Sequence, residues 1–222
     1  MPAAFTDLAQ TCAPGIAVET IAAVVSVESN FQPFAVRINS GPLADQPATK
    51  AEAIEAAISL IAEGRDVQLG LGGIGFSELK KLSLTISDVF DPCLNLKATA
   101  TLLGGYYRMA IRAGATSGRA EHVMLQSYYG RKDPAVGAMA EYDEQVQSEA
   151  SRLSARLTTL TIGEDVPEPG ADGEPPSAQP IADGDPVQPD DQVVSVPSWD
   201  VFKSRRRSSV LVFQNEQPEQ SE

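Results

Sequence analysis

Ala17-Val18-Glu19-Thr20-Ile21-Ala22-Ala23-Val24-Val25-Ser26-Val27-Glu28-Ser29-Asn30 carries apolar side chains at Val18, Ile21, Ala22, Val24 and Val25. That spacing is a helix with one buried stripe, stopped at Asn30 and Pro33. Glu28 falls three, four and seven positions after Val25, Val24 and Ile21, so it continues the stripe in the helix's last turn. Burial disfavours a charged carboxylate there, and so does the negative end of the helix dipole. Both raise its pKa, as a general acid working near neutral pH requires. The competing reading puts Glu28 at the edge of the stripe with its carboxylate in water, the usual situation of a glutamate.

Outward from this helix the first 160 residues read as further helices joined by polar turns. Residues 5–12 suit a short helix. Residues 50–63 form another, with Thr49 and Glu52 spaced as a capping box, Gly64 as the stop, and Ile54, Ile58 and Ile61 as the apolar face. Ser77–Lys81 and Ser87–Phe90 read as short turns of helix. Residues 93–113 make a long helix with Leu96, Leu103, Tyr107 and Ile111, closed by Gly114. Two more follow at 118–128 and 138–159, with Val123 and Met124, then Val146, Leu153 and Leu157, on their faces. The expected class is all-α, or α with a minimal β element, over residues 1–160.

Charge divides the chain further. The net charge of −13 is uneven: residues 1–162 hold 13 Lys+Arg against 17 Asp+Glu, and residues 163–192 hold nine acids and no base. That acidic stretch also has seven prolines and almost no large apolar side chain, so residues 161–192 read as a disordered linker. Residues 193–222 regain character in Ser198-Trp199-Asp200-Val201-Phe202, Arg205–Arg207 and Val210–Phe213, and read as a short interaction segment. No part offers the basic surface that direct nucleic-acid binding needs. No apolar run is long enough for a transmembrane segment, and no signal peptide is visible at the start.

Several motifs invite chemistry. Gly70-Leu71-Gly72-Gly73-Ile74-Gly75 matches the dinucleotide fingerprint G-x-G-x-x-G, which needs a parallel sheet around it. In a helical chain it reads instead as a loop whose backbone can approach an extended ligand. His122 is the single histidine, so no metal site is expected and a structural or surface role is preferred. Tyr128 and Tyr129 close their helix as core or rim residues, or stack on sugar faces beside such a loop. Cys12 and Cys93 are open to two readings: buried thiols, or one bridge in an oxidising compartment.

Cys12-Ala13-Pro14, Val27-Glu28-Ser29-Asn30-Phe31-Gln32-Pro33-Phe34-Ala35, Gly70-Leu71-Gly72, Phe90-Asp91-Pro92-Cys93-Leu94-Asn95-Leu96 and Ser127-Tyr128-Tyr129 occur in that order. Together they resemble the lytic transglycosylases of type IV secretion and conjugation systems, the VirB-type group of the soluble-transglycosylase family with a lysozyme-like fold. The resemblance covers roughly residues 7–155, and the acidic linker and the Ser198–Phe213 tail are also similar to some members. It implies Glu28 as the catalytic residue and substrate contacts from Ser29, Gly70, Leu71, Gly72, Tyr128 and Tyr129, with no cofactor. Gly73 and Tyr129 replace the family's glutamine and asparagine, two polar substrate contacts.

The implied reaction cleaves the bond between N-acetylmuramic acid and N-acetylglucosamine in peptidoglycan. Glu28 protonates the bridging oxygen, then as carboxylate takes the proton of the muramoyl 6-hydroxyl as that oxygen closes a 1,6-anhydro ring. One carboxylate suffices, unlike ordinary glycosidases, and the sequence shows no second acid in an apolar setting comparable to that of Glu28. The implied compartment is the periplasm, where a Cys12–Cys93 bridge could form. The implied partners are glycan strands and, through the C-terminal segment, other secretion components. The alternatives are a catalytically weakened assembly factor that keeps the groove, favoured by Gly73 and Tyr129, and a nucleotide-dependent oxidoreductase resting on the glycine string.

Overall fold

The chain runs as α1 (Phe5–Cys12), α2 (Val18–Ser29), β1 (Val36–Ile38), β2 (Gly41–Pro42), α3 (Lys50–Ala62), β3 (Val67–Leu69), β4 (Ile74–Gly75), α4 (Phe76–Leu82), α5 (Ile86–Val89), α6 (Pro92–Arg112), α7 (Ser117–Tyr129), α8 (Pro134–Met139) and α9 (Tyr142–Leu153), then a three-ten helix, Ser154–Thr159. This is a computed structural model that describes residues 4–38 and 41–163. The expected linker beyond Gly163 and the 193–222 segment lie outside the described residues. Among the described residues, no helix is long and apolar enough to cross a membrane.

Local sequence explains where the helices begin. Asp91 accepts from Leu94 N at 2.9 Å with Pro92 at the first helical position, so α6 starts one residue earlier than its apolar pattern suggests. Thr85 and Asp88 form a reciprocal capping box for α5. At α3 the expected box is only half made. The Thr49 hydroxyl accepts from Glu52 N, but the Glu52 carboxylate reaches back to Ala48 N instead. The apolar face of α3 is as expected at Ile54 and Ile61, which are half-buried against the second core part, but its fully buried residues are Ala53 and Ala57, and Ile58 is 52% exposed. Small residues let α3 sit close to the sheet, which turns the Ile58 position toward solvent. The expected helix at 138–159 is interrupted, because α8 ends at Met139 and Glu141 adopts a left-handed conformation (φ 51°) before α9 begins.

The core has two parts. α2 is buried through Ile21, Ala22, Ala23, Val24 and Val25, and packs with α1, α6, α7 and α9 in the first part. A helix apolar on almost every side belongs in the middle of a bundle. The second part joins the sheet to α3, α4 and α5 through Val36, Ala57, Leu69, Ile74, Leu79 and Phe90. Helix α6 borders both, giving Leu96 and Leu103 to the first and Ala98 to the second. Cys12 at the end of α1 and Cys93 at the start of α6 are joined by a disulfide with their Cα atoms 5.3 Å apart.

The sheet has the order β2-β1-β3-β4. Its described pairs are antiparallel, with Val36 opposite Leu69 and Leu69 opposite Ile74. A dinucleotide site needs a parallel βαβ frame, so the glycine string is the turn of a small hairpin and the nucleotide-binding reading is removed.

Candidate active site

α2 ends abruptly because Asn30 (φ 48°) and Phe31 (φ 62°) are both left-handed. Asparagine tolerates that conformation; phenylalanine is strained in it. Phe31 is held there by full burial, by its ring packed edge-on to Phe5 at 5.0 Å, and by its carbonyl accepting from Gly163 N at 2.9 Å. The sharp exit leaves the last turn of α2 facing a cleft between the two core parts.

Glu28 is 8% exposed in that turn. Its Oε1 accepts from the Tyr142 hydroxyl at 2.6 Å. Its Oε2 lies 3.3 Å from Arg37 Nη1, and that nitrogen also donates to the carbonyls of Val27 at 3.0 Å and Glu28 at 3.1 Å. Arg37 thus covers the carbonyl end of α2 as well as the carboxylate. Burial pushes the Glu28 pKa above the ordinary carboxylate range; the Tyr142 hydrogen bond and the Arg37 and Arg131 charges oppose this without cancelling it. A carboxyl in this state keeps its proton to higher pH than one in water and can donate it to a weakly basic oxygen.

The cleft is lined by Glu28, Gly73, Glu78, Tyr106, Tyr128 and Arg131 among others. It continues past Gln68, Tyr129 and Arg131 toward Arg37 and Asp66. Of the residues expected to meet substrate, Tyr128 and Tyr129 line it. The Tyr128 hydroxyl donates to Gly72 O at 2.5 Å, and burial pushes its pKa upward, so it stays neutral. Tyr129 is 43% exposed and lies against Tyr142 with ring centroids 5.1 Å apart, leaving an open aromatic face. Ser29 is buried, and its Oγ lies 2.8 Å from Leu71 O and 3.0 Å from Val25 O, tying α2 to the glycine turn.

Gly70, Leu71 and Gly72 do not line the cleft. Leu71 is fully buried in the first core part. A Cβ on Gly70 would meet Asn95 Nδ2 at 2.3 Å, and one on Gly72 would meet Thr99 Oγ1 at 1.9 Å. These glycines admit close internal neighbours, where the sequence suggested an open backbone for ligand. Asn95 fastens the turn, accepting from Gly72 N at 2.8 Å and donating to Leu69 O at 3.2 Å and Val89 O at 2.8 Å. Gly73 does reach the cleft. At φ 62° its missing side chain makes room for the Glu28 carboxylate, which a Cβ would approach to 2.7 Å.

Glu78 corrects the expectation that no second acid shares the setting of Glu28. It is 4% exposed and lines the same cleft. Its electrostatics are opposite: burial pushes its pKa up, but hydrogen bonds from Lys81 (2.8 Å) and Ser77 (2.7 Å), with the charges of Lys81 and Arg131, outweigh that and hold it low. The cleft therefore pairs a carboxyl that favours its proton with one that stays ionised. Arg37, Glu78, Arg131 and Tyr142 carried no signal beyond an ordinary polar or aromatic residue, since each reaches Glu28 or the cleft from a different part of the chain. His122 is paired with Asp143 at 2.6 Å, a structural contact across α7 and α9.

The sequence pattern of the transglycosylase SLT domain matches residues 7–128. Type IV secretion system protein virB1 of Brucella abortus biovar 1 is 44% identical over 107 residues, 48% of this chain and 45% of that protein. Protein virB1 of Agrobacterium fabrum is 30% identical over 159 residues, 70% of this chain and 63% of its own. The matched stretch spans less than half the length of the Brucella relative. No solved structure matches the chain. Because the domain pattern covers more than half of the 222 residues, the chain belongs to the transglycosylase SLT domain family.

Proposed function

We propose that this protein is a peptidoglycan lytic transglycosylase that opens the cell wall locally, from the periplasm, for a type IV secretion or conjugation apparatus. The observation that carries the reading is Glu28: a carboxyl in a cleft, inclined by burial to keep its proton, held on both oxygens by Tyr142 and Arg37. In the proposed reaction Glu28 gives its proton to the oxygen between N-acetylmuramic acid and N-acetylglucosamine as the bond to the muramoyl anomeric carbon breaks. The 6-hydroxyl oxygen of the same sugar bonds to that carbon, and its proton returns to Glu28. No water is consumed, and the enzyme ends in its starting state.

Tyr142 and Arg37 act when Glu28 is briefly ionised, since both stabilise the carboxylate form. Glu78, held ionised, and Arg131 line the same cleft and serve orientation rather than proton transfer. Ser29 and the Gly70–Gly72 turn support the position of Glu28 from behind. The exposed face of Tyr129 is suited to stack on a sugar ring. The names of the virB1 relatives support the secretion context, and the C-terminal segment is proposed to meet other components of that apparatus.

The test is digestion of purified peptidoglycan with mass analysis of the products. Wild-type protein is expected to release 1,6-anhydromuramoyl ends, and Glu28→Gln none. Products ending only in reducing, hydrated muramic acid would refute the transglycosylase reading. An absence of any cleavage would favour the weakened assembly factor.

A further inference from the structure

Next to the cleft lies a second depression, bordered by Lys81 on α4, Arg108 and Arg112 on α6, and Lys132 beyond α7. Leu102 and Tyr106 line both, so the two are continuous. Four cations converge here in a chain whose overall charge is −13. Lys81 is paired with Glu78, whereas Arg108, Arg112 and Lys132 show no carboxylate partner among the described residues. The three like charges without carboxylate partners repel one another, and the arrangement concentrates anions in a concave site.

Two further features mark the depression as shaped. Its lining includes Gly105, in the middle of α6, where glycine is the poorest helix former apart from proline. No close neighbour explains that glycine, since a Cβ at Gly105 would meet nothing within 4 Å. At the rim, Arg131 (φ 50°) and Lys132 (φ 98°) occupy left-handed positions just past α7, where glycine is the ordinary choice. Their amides are tied back to Tyr128 O and Ser127 O, and the Arg131 side chain projects to the cleft while Lys132 borders the depression.

We propose that this depression is an anion subsite that holds a carboxylate-bearing peptide branch of the polymer lying in the adjoining cleft. The proposal rests on the peptidoglycan reading above, in which each branch leaves the glycan at the lactyl group of muramic acid. The cations read the carboxylates of the branch, and the bare Gly105 backbone lets it lie close to α6.

The test measures affinity on the full chain carrying Glu28→Gln, so that binding is read without turnover. The probes are glycan strands with their peptide branches and the same strands after amidase removal of those branches. Replacing Arg108, Arg112 and Lys132 together by Gln is expected to weaken the branched strands about tenfold, with the stripped strands within about twofold. Gly105→Leu puts a large side chain and a better helix former into the lining, and is expected to give the same selective loss with a melting temperature no lower than the parent's. Equal weakening of both strands, no weakening of either, failure of the parent to bind the branched strands, or full affinity in Gly105→Leu would each overturn the proposal. If the parent binds as expected while wild-type protein makes no anhydro ends, the subsite stands and the transglycosylase reading fails.

Discussion

Replacing Glu28 by Gln removes a buried ionisable group while keeping its shape, and the variant is expected to be more stable than wild type near neutral pH. The folded-state pKa of Glu28 lies above its unfolded value because of burial. Between those two values the folded protein binds more protons than the unfolded chain, so stability falls as pH rises through the window. Below the unfolded value both states are protonated and Glu28 costs nothing. Above the folded value the whole cost of burying the charge, less what Tyr142 and Arg37 return, is in force. An amide keeps both contacts, accepting from Arg37 through its oxygen and donating to the Tyr142 hydroxyl through its nitrogen. The gain should therefore fall in the range of about 0.5–2 kcal/mol typical of relieving a strained functional site. For a protein of this size that corresponds to a melting-temperature rise of roughly 1–8 °C. Thermal unfolding followed by circular dichroism at pH 7 and at about pH 3 makes the comparison. The gain should be present at the higher pH and gone at the lower. A variant that melts below wild type at pH 7, or a difference of the same size at both pH values, would refute the account of Glu28.

Tyr142→Phe removes the hydroxyl that favours ionised Glu28, so the carboxyl should keep its proton to higher pH; the alkaline limb of the pH–rate profile should move upward, as turnover against pH would show. Gly73→Ala should cost about 1–3 kcal/mol and depress cleavage, because the new methyl group would meet Glu28 Oε2 at 2.7 Å from a left-handed backbone; urea unfolding and wall digestion read the two effects. Leu71→Ala should cost about 2–5 kcal/mol through a cavity in the first core part, and its kcat per folded molecule should change less than that of Gly73→Ala. Replacing Cys12 and Cys93 together by Ser should lower stability by about 4–5 kcal/mol, the loop-closure value for a separation of 81 residues, measured by denaturant titration; a loss under 1 kcal/mol would argue that the unfolded chain is already compact between them.

The helices were largely legible because their signals are local. Apolar spacing along Val18–Ser29 and along Pro92–Arg112, with caps at Asp91 and stops at Gly64 and Gly114, depends on residues within a few positions of one another. The same locality made the orientation of α3 only partly legible. Ile54 and Ile61 do face the second core part, but the packing of the sheet centres the contact on Ala53 and Ala57 and leaves Ile58 outside, a rotation that spacing along the helix does not specify. The glycine turn was legible as a turn but not in purpose, since the atoms that crowd Gly70 and Gly72 come from Asn95 and Thr99 on α6.

Sequence periodicity carried the apolar stripe of α2 to Glu28, because a helix maps spacing directly onto direction. It left open whether the carboxyl was buried or in water, and the packing around α2 decided for burial. Spacing could not say what surrounds the carboxyl. The Tyr142 hydroxyl arrives from 114 residues away, and Arg37 arrives on a strand whose place depends on pairing with β3. Glu78, beside Ser77, Lys80 and Lys81, looks in sequence like part of a solvated face, and only the packing of α4 beneath the cleft buries it. Whether a carboxyl keeps or loses its proton is settled by the charges, donors and solvent within a few ångströms in space. Around Glu28 that environment is assembled from α2, β1, α9 and the turn after α7, so folding decided it.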